Sequence, residues 1–191
     1  MKILIVLGSP RKGGNGETLV RKAAEAMEQG GCTVDYIRLN DLNLRPCQGC
    51  GGCDKTGKCV IKDDMTSVYQ AVDDADRIIL VSPVYFYSLS AQCKIFGDRF
   101  QARWSRKYNL NEKFREGEGR KGYLLSTAAT TGSKIFDCSI LTTRYIFDAM
   151  DVEYGGELLV KGVDERKAVL GVPDEMARAE QFGKDIVEGR I

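Results

Sequence analysis

The sequence of 191 residues contains no histidine. Ser-His-Asp and Cys-His catalysis are therefore excluded, as are the usual histidine-containing zinc and non-haem iron sites. Any chemistry must be carried by cysteine, by carboxylates or by a bound cofactor. An excess of either charge is also missing: 28 Lys and Arg face 27 Asp and Glu, a net charge of +1. A nucleic-acid binder would need a basic surplus to exploit counterion release, so nucleic acid is not an expected partner. No apolar run approaches the roughly 20 residues of a membrane helix. The opening ILIVL is shorter than a signal-peptide core and runs straight into Gly8-Ser9-Pro10-Arg11, without a small-residue cleavage site. No membrane partner is expected, and a cytoplasmic setting is, where thiols stay reduced and a disulfide framework is not anticipated.

What is present alternates. Lys2 to Leu7 is a branched, nearly all-apolar run suited to a parallel strand covered on both faces. Glu17 to Gln29 carries Leu19, Ala23, Ala26 and Met27 at helical spacing, and Asn15 is placed to cap that helix. Further strands are predicted at Cys32 to Leu39, Arg77 to Val81, Gly122 to Ser126 and Val152 to Val160. Helices are predicted after Asp63-Asp64, over Leu89 to Arg103, Ser133 to Met150 and Asp174 to Glu188. Five strand–helix alternations predict an α/β fold: a flavodoxin-like three-layer sandwich whose five-stranded parallel sheet has the order 2-1-3-4-5. Residues 1–191 are expected to form a single domain, with a cysteine-rich loop at 45–62. A polar excursion at 103–121 holds seven basic and three acidic residues. It is expected to be solvated, or else to cover a neighbouring subunit or a cofactor.

Three loops are predicted to meet at one sheet edge. Gly8 to Gly16 (GSPRKGGNG) is neither a Rossmann fingerprint nor a P-loop, yet it offers Ser9, Arg11, glycine amides at Gly13 and Gly16, and a helix N-terminus, with Asn15 and Thr18 close by. After the third strand come Pro83, Val84, Tyr85 and Phe86, with aromatic side chains projecting at the cleft. After the fourth come Thr127, Ala128, Thr131 and Gly132, small and hydroxyl-rich, leaving room for a flat ring. Phosphate loop, aromatic loop and small polar loop together suit a mononucleotide with a planar ring system, and FMN fits best.

GSPRKGGN at 8–15, SPVYFYSLSAQCKIFGDR at 82–99, and the cysteine loop leading into VIKDDM at 60–65 resemble the flavodoxin-like NAD(P)H-dependent FMN reductases, and more narrowly their iron–sulfur flavoprotein branch. The resemblance runs over roughly residues 1 to 160. It implies FMN with its phosphate near Ser9, Arg11, Asn15 and the Gly13–Gly16 amides, and its ring against Pro83–Phe86 and Thr127–Gly132. It also implies a homo-oligomer, dimer or tetramer, in which cluster and flavin meet between subunits. One departure is that Asn15 is followed by Gly16, where family members often carry Thr or Ser.

The cysteine loop RPCQGCGGCDKTGKC spaces Cys47, Cys50, Cys53 and Cys59 as Cys-x2-Cys-x2-Cys-x5-Cys. Structural zinc favours two well-separated pairs and fits poorly. Three cysteines at successive x2 spacing in a glycine-rich loop suit three corners of a [4Fe–4S] cluster, with Cys59 available to close it. Redox-active or merely packed thiols are the alternatives. Cys32, Cys93 and Cys138 fall in regular elements and are expected to be ordinary buried residues.

The function expected is an FMN-dependent oxidoreductase moving electrons from a reduced donor, with NAD(P)H a possible one, to a small-molecule or protein acceptor, through FMN and a [4Fe–4S] cluster. No catalytic side chain is assigned, because the chemistry resides on the flavin. Three alternatives stand beside it: a non-enzymatic flavodoxin-like electron carrier, an FMN reductase whose loop cysteines bind no cluster, and a cysteine-based sensor or metal-binding module without flavin.

Overall fold

A computed structural model describes residues 1–191. Five strands, β1 (Lys2–Leu7), β2 (Thr33–Arg38), β3 (Arg77–Pro83), β4 (Lys121–Ala128) and β5 (Glu153–Lys161), form one parallel sheet in the order β2-β1-β3-β4-β5. The three inner strands are buried on both faces, and β1 and β3 accordingly carry runs of Val, Ile and Leu, whereas β4 buries Tyr123, Leu124 and Leu125 followed by the small Ser126, Thr127 and Ala128. Side chains alternate between two cores. Ile3, Ile5 and Leu7 meet α1 (Asn15–Gln29) and α6 (Pro173–Glu188), whereas Leu4 and Val6 meet α2 (Met65–Asp74), α3 (Ala91–Arg99) and α5 (Asp137–Ala149).

The predicted fold and strand order are those observed, and the differences lie in the helices. The predicted helix over Leu89 to Arg103 is broken. Ser90 caps α3 by accepting the Cys93 N–H, Phe100 interrupts, and α4 (Gln101–Trp104) runs into a π-helical turn at Ser105–Asn109. α5 begins at Asp137, not Ser133. Asn15 does not cap α1: it is the first helical residue, and Gly14 occupies the cap position with extended backbone. At α2, Asp64 occupies the cap position without capping, and it is Asp63 Oδ1 that accepts the Met65 N–H at 3.1 Å.

The 103–121 segment is exposed along much of its length, but it is tied to the rest of the chain. Its arginines supply donors to the last carbonyls of α2, groups that a helix leaves unpaired. Arg120, almost wholly buried, donates to the carbonyls of Val72, Ala75 and Met150. Arg115 donates to those of Asp73 and Ala75 and pairs with Asp76. Phe114 lies between Arg106 and Arg120, 4.6 and 5.4 Å from its ring centroid, so the segment packs on its own chain.

Candidate functional site

The loop between β1 and α1 is held open by a buried carboxylate. Glu17 Oε2 accepts the Gly13 N–H at 2.7 Å and Arg38 Nη2 at 2.6 Å, while its Oε1 accepts Arg21 Nη2 at 2.8 Å. Gly13 reaches this position with φ at +65°, a conformation that glycine adopts without strain. Burial alone would raise the Glu17 pKa, but the Arg38, Gly13 and Arg21 hydrogen bonds outweigh it and hold the carboxyl at about 2. The Gly13 amide is thereby taken and is not available to a phosphate. The amides of Gly14, Asn15 and Gly16 are a different matter: α1 has no side-chain cap, and these donors have no acceptor within the chain.

The other predicted residues of this loop divide. Ser9 Oγ accepts the Arg11 N–H at 3.1 Å, which leaves its hydroxyl hydrogen free. Arg11 is exposed and donates to the Asp164 carbonyl at 3.2 Å. Asn15 points away from the loop mouth: its Nδ2 donates to the Glu165 carbonyl at 2.9 Å and its Oδ1 accepts the Val169 N–H at 3.1 Å. Thr18 spends its hydroxyl hydrogen on the Gly14 carbonyl at 3.0 Å. A residue outside the prediction, Arg166, lies over the loop, with Nη2 3.0 Å from where a Gly13 Cβ would stand.

Two further loops close the edge. Tyr85 and Ser88 exchange backbone hydrogen bonds of 3.0 Å around Phe86 and Tyr87, which have φ of +49° and +61°. Tight turns of this kind are normally Asn-Gly, and two aromatics there store strain of order 1–2 kcal/mol per residue. The turn holds Phe86 fully exposed, 100 %, with Tyr85 and Tyr87 half-exposed. The Val84 N–H donates to the Thr127 carbonyl at 2.8 Å, and the Tyr87 hydroxyl would stand 2.7 Å from a Gly132 Cβ, so the β3 and β4 loops touch. Ala128 is buried, and Thr131 is exposed at the rim. A line of buried serines ties these loops to the first. Ser90 Oγ donates to the Gly8 carbonyl at 2.6 Å, the Ser90 N–H donates to Ser82 Oγ at 3.0 Å, and Ser126 Oγ donates to the Ser82 carbonyl at 2.9 Å.

The cysteine loop is anchored at both ends by one residue. Arg99, 1 % exposed at the end of α3, donates Nη1 to Asp63 Oδ2 at 2.5 Å and Nη2 to Asp63 Oδ1 at 3.1 Å. The same guanidinium reaches the carbonyls of Arg45 (2.8 Å) and Ile61 (3.4 Å), the two ends of the loop. Asp63 also accepts the Arg45 N–H, and Asp64 accepts the Asn43 N–H. Burial pushes the Asp63 carboxyl up, but Arg99 and the Arg45 and Met65 amides more than reverse it, so the pair stays ionised. Between these anchors Gly49 and Gly51 take left-handed φ, and the chain turns so that Cys47, Cys50, Cys53 and Cys59 all line one cavity of about 720 Å³. Its far wall is built from α3, α4 and α5, including Phe100, Trp104, Leu141 and Tyr145. None of the predicted FMN residues lines this cavity. Of the remaining cysteines Cys93 is buried as expected, whereas Cys32 is half-buried and Cys138 exposed.

Both cofactors suit what is present. The unpaired N-terminal amides of α1, with Ser9, Arg11 and Arg166 around them, form an anion cradle, and the exposed aromatics and the small β4 loop flank it. The thiols are all free, and no three Cys, Asp or Glu groups converge as a single metal ion would require. A four-iron cubane holds its thiolates farther apart than one ion does. Arg99, which lines the same cavity, keeps one buried donor without an acceptor, Nε, and a thiolate or sulfide would be an acceptor of the right charge.

Residues 1–150 match the family described as NADPH-dependent FMN reductase. The chain belongs to that family. It is 46 % identical over 99 residues to an iron-sulfur flavoprotein of Methanocaldococcus jannaschii, covering 52 % of this chain and 51 % of that protein. It is 36 % identical over 113 residues to the iron-sulfur flavoprotein of Methanosarcina thermophila, covering 59 % of each. The chain thus spans about half the length of the curated relatives it matches. Among solved structures, an FMN-dependent NADH-azoreductase from Bacillus anthracis in complex with FMN superposes with a TM-score of 0.72 at 14 % identity, covering 98 % of this chain and all of that one. The NAD(P)H:quinone oxidoreductase from Methanothermobacter marburgensis gives 0.69 at 14 % identity, covering 97 % and 98 %. These two show the flavodoxin-like fold of the chain. No helix is long and apolar enough to cross a membrane.

Two consequences can be measured. The Glu17 pKa lies below its ordinary value of 4.5, so its share of stability is complete above pH 4.5 and is lost as pH falls toward about 2. Glu17→Gln should remove on the order of 2–3 kcal/mol at neutral pH and flatten the acid limb of stability between those values in urea titrations; an unaltered limb would mean that Glu17 is not the group responsible. Arg99→Met leaves Asp63 buried and unpaired, and should cost about 3–5 kcal/mol and open residues 45–62 to limited proteolysis. An intact loop with unchanged stability would show that the clamp is dispensable.

Proposed function

We propose that the protein is a flavin-dependent oxidoreductase holding FMN at the β1, β3 and β4 loops and a [4Fe–4S] cluster on Cys47, Cys50, Cys53 and Cys59. When bound, FMN supplies two-electron exchange with a reduced nicotinamide and one-electron exchange with the cluster. The observation that carries the reading is that all four cysteines of one short loop wall a single cavity, in a chain whose family is that of the FMN reductases.

The chain's own residues bind and orient. Gly14 to Gly16 and Ser9 offer hydrogen-bond donors to a phosphate, Arg11 and Arg166 neutralise its charge, and Glu17 keeps the loop in the receptive shape without competing for those donors. The Phe86–Tyr87 turn supplies an apolar wall for the ring, and Thr127, Ala128, Thr131 and Gly132 the opposite one. Flavin redox chemistry requires no side-chain acid–base pair of the site, which agrees with the absence of histidine. Free thiols suit a reducing cytoplasm. A homo-oligomer, dimer or tetramer, belongs to the same proposal. It is supported by the separation of the FMN loops from the cysteine cavity within one chain, and by exposed Phe86, Leu141 and Tyr145. The terminal acceptor is a small molecule or a redox protein.

Anaerobic stopped-flow mixing with NADPH or NADH tests the activity. Rapid bleaching of the flavin is expected, and flavin that no nicotinamide reduces would make the protein an electron carrier. Arg11→Ala should weaken FMN binding by about 10- to 100-fold, the loss of one charge-assisted contact. Unchanged affinity would place the phosphate elsewhere.

A further inference from the structure

The π-helical turn that follows α4 does more than end a helix. There the Leu110 N–H, not that of Asn109, bonds the Ser105 carbonyl at 3.1 Å, so one extra residue is accommodated in the turn. Such insertions are frequent at functional sites. The turn packs directly on the cysteine loop: Gly57 lies against Arg106, so close that a Cβ would stand 2.9 Å from Arg106 Cβ. Ser105 itself is wholly buried, and its Oγ lies 3.6 Å from Cys53 Sγ.

The hydroxyl has one hydrogen to give. Asn109 Nδ2 donates to Ser105 Oγ at 3.5 Å, and the oxygen faces two acceptors, Asp54 Oδ1 at 3.2 Å and Cys53 Sγ. A protonated Cys53 could itself be the donor. A Cys53 bound to iron is a thiolate without a hydrogen, and Ser105 is then the only possible donor of that pair.

We propose that Ser105 is a positioning residue that donates its hydroxyl hydrogen to Cys53 Sγ and raises the reduction potential of the cluster held there. The inference rests on the cluster reading above. A hydrogen bond to a ligand sulfur stabilises the reduced state, which carries more negative charge, so the potential rises; removing the bond lowers it. Asp54 competes for the same hydrogen and therefore acts in the opposite sense.

The test is an EPR-monitored redox titration of full-length protein prepared anaerobically, with iron and acid-labile sulfide measured on each sample. Ser105→Ala is expected to retain iron and sulfide and to show a lower midpoint potential. Ser105→Thr, which keeps the hydroxyl, should stay near the wild-type value. If Ser105→Ala assembles no cluster, Asp54→Ala decides. It frees the hydrogen for sulfur and should raise the midpoint, and the rise should persist at about 1 M salt, where the through-space effect of a lost carboxylate is screened. A full cluster with an unmoved midpoint in Ser105→Ala, a threonine variant that shifts as alanine does, or an Asp54→Ala rise that vanishes in salt would overturn the inference alone. Wild-type protein without iron would overturn it together with the cluster reading.

Discussion

Arg99 and Asp63 meet out of contact with water at the end of α3, and the cysteine loop is organised around that contact. Either charge alone would be costly in such a place, so the two must be buried together. Because the same guanidinium also binds the carbonyls of Arg45 and Ile61, the loop begins and ends at one point. A stretch rich in glycine, with little apolar content of its own, would otherwise carry the full entropy of an open chain. With the ends fixed, the four cysteines lie along one cavity whose far wall is α3, α4 and α5.

α3 thus connects two sites. Its cap residue, Ser90, ties the loops after β1 and β3 together, and its last residue, Arg99, holds the cysteine loop. Nine residues of helix span only about 13 Å, so a rigid element of that length relates the expected flavin cleft to the cysteine cavity. Their walls nonetheless share no predicted residue, which gives the exposed apolar rim of each an importance that a self-contained site would not confer.

Much of this was legible in the residues. Runs of Val, Ile and Leu gave away β1 and β3, the glycine-rich loop pointed to the stretch where the first amides of α1 have no acceptor, and the cysteine spacing pointed to the loop whose four thiols line one cavity. What could not be read depends on contacts between distant parts of the chain. Asn15 has the composition of a phosphate ligand or helix cap, yet it is bound by Glu165 and Val169, some 150 positions away. Glu17 looked like one polar residue of an amphipathic helix until Arg38 was brought beside it. Arg99 ended a recognisable motif, GDR, but nothing local says that an arginine at a helix end will be buried. Ser105 lay in a segment expected to be solvated, and only the π-turn brings it to Cys53. The arginines of 113–121 read as surface charge because their acceptors are backbone carbonyls, which leave no trace in sequence.

The central proposal is that a loop so held carries an iron–sulfur cluster in a protein that also binds flavin. Iron, acid-labile sulfide and flavin in protein purified anaerobically test it most directly. About four irons and four sulfides per chain, together with one FMN, are expected. Iron and sulfide near zero after chemical reconstitution, in protein that still binds FMN, would contradict it.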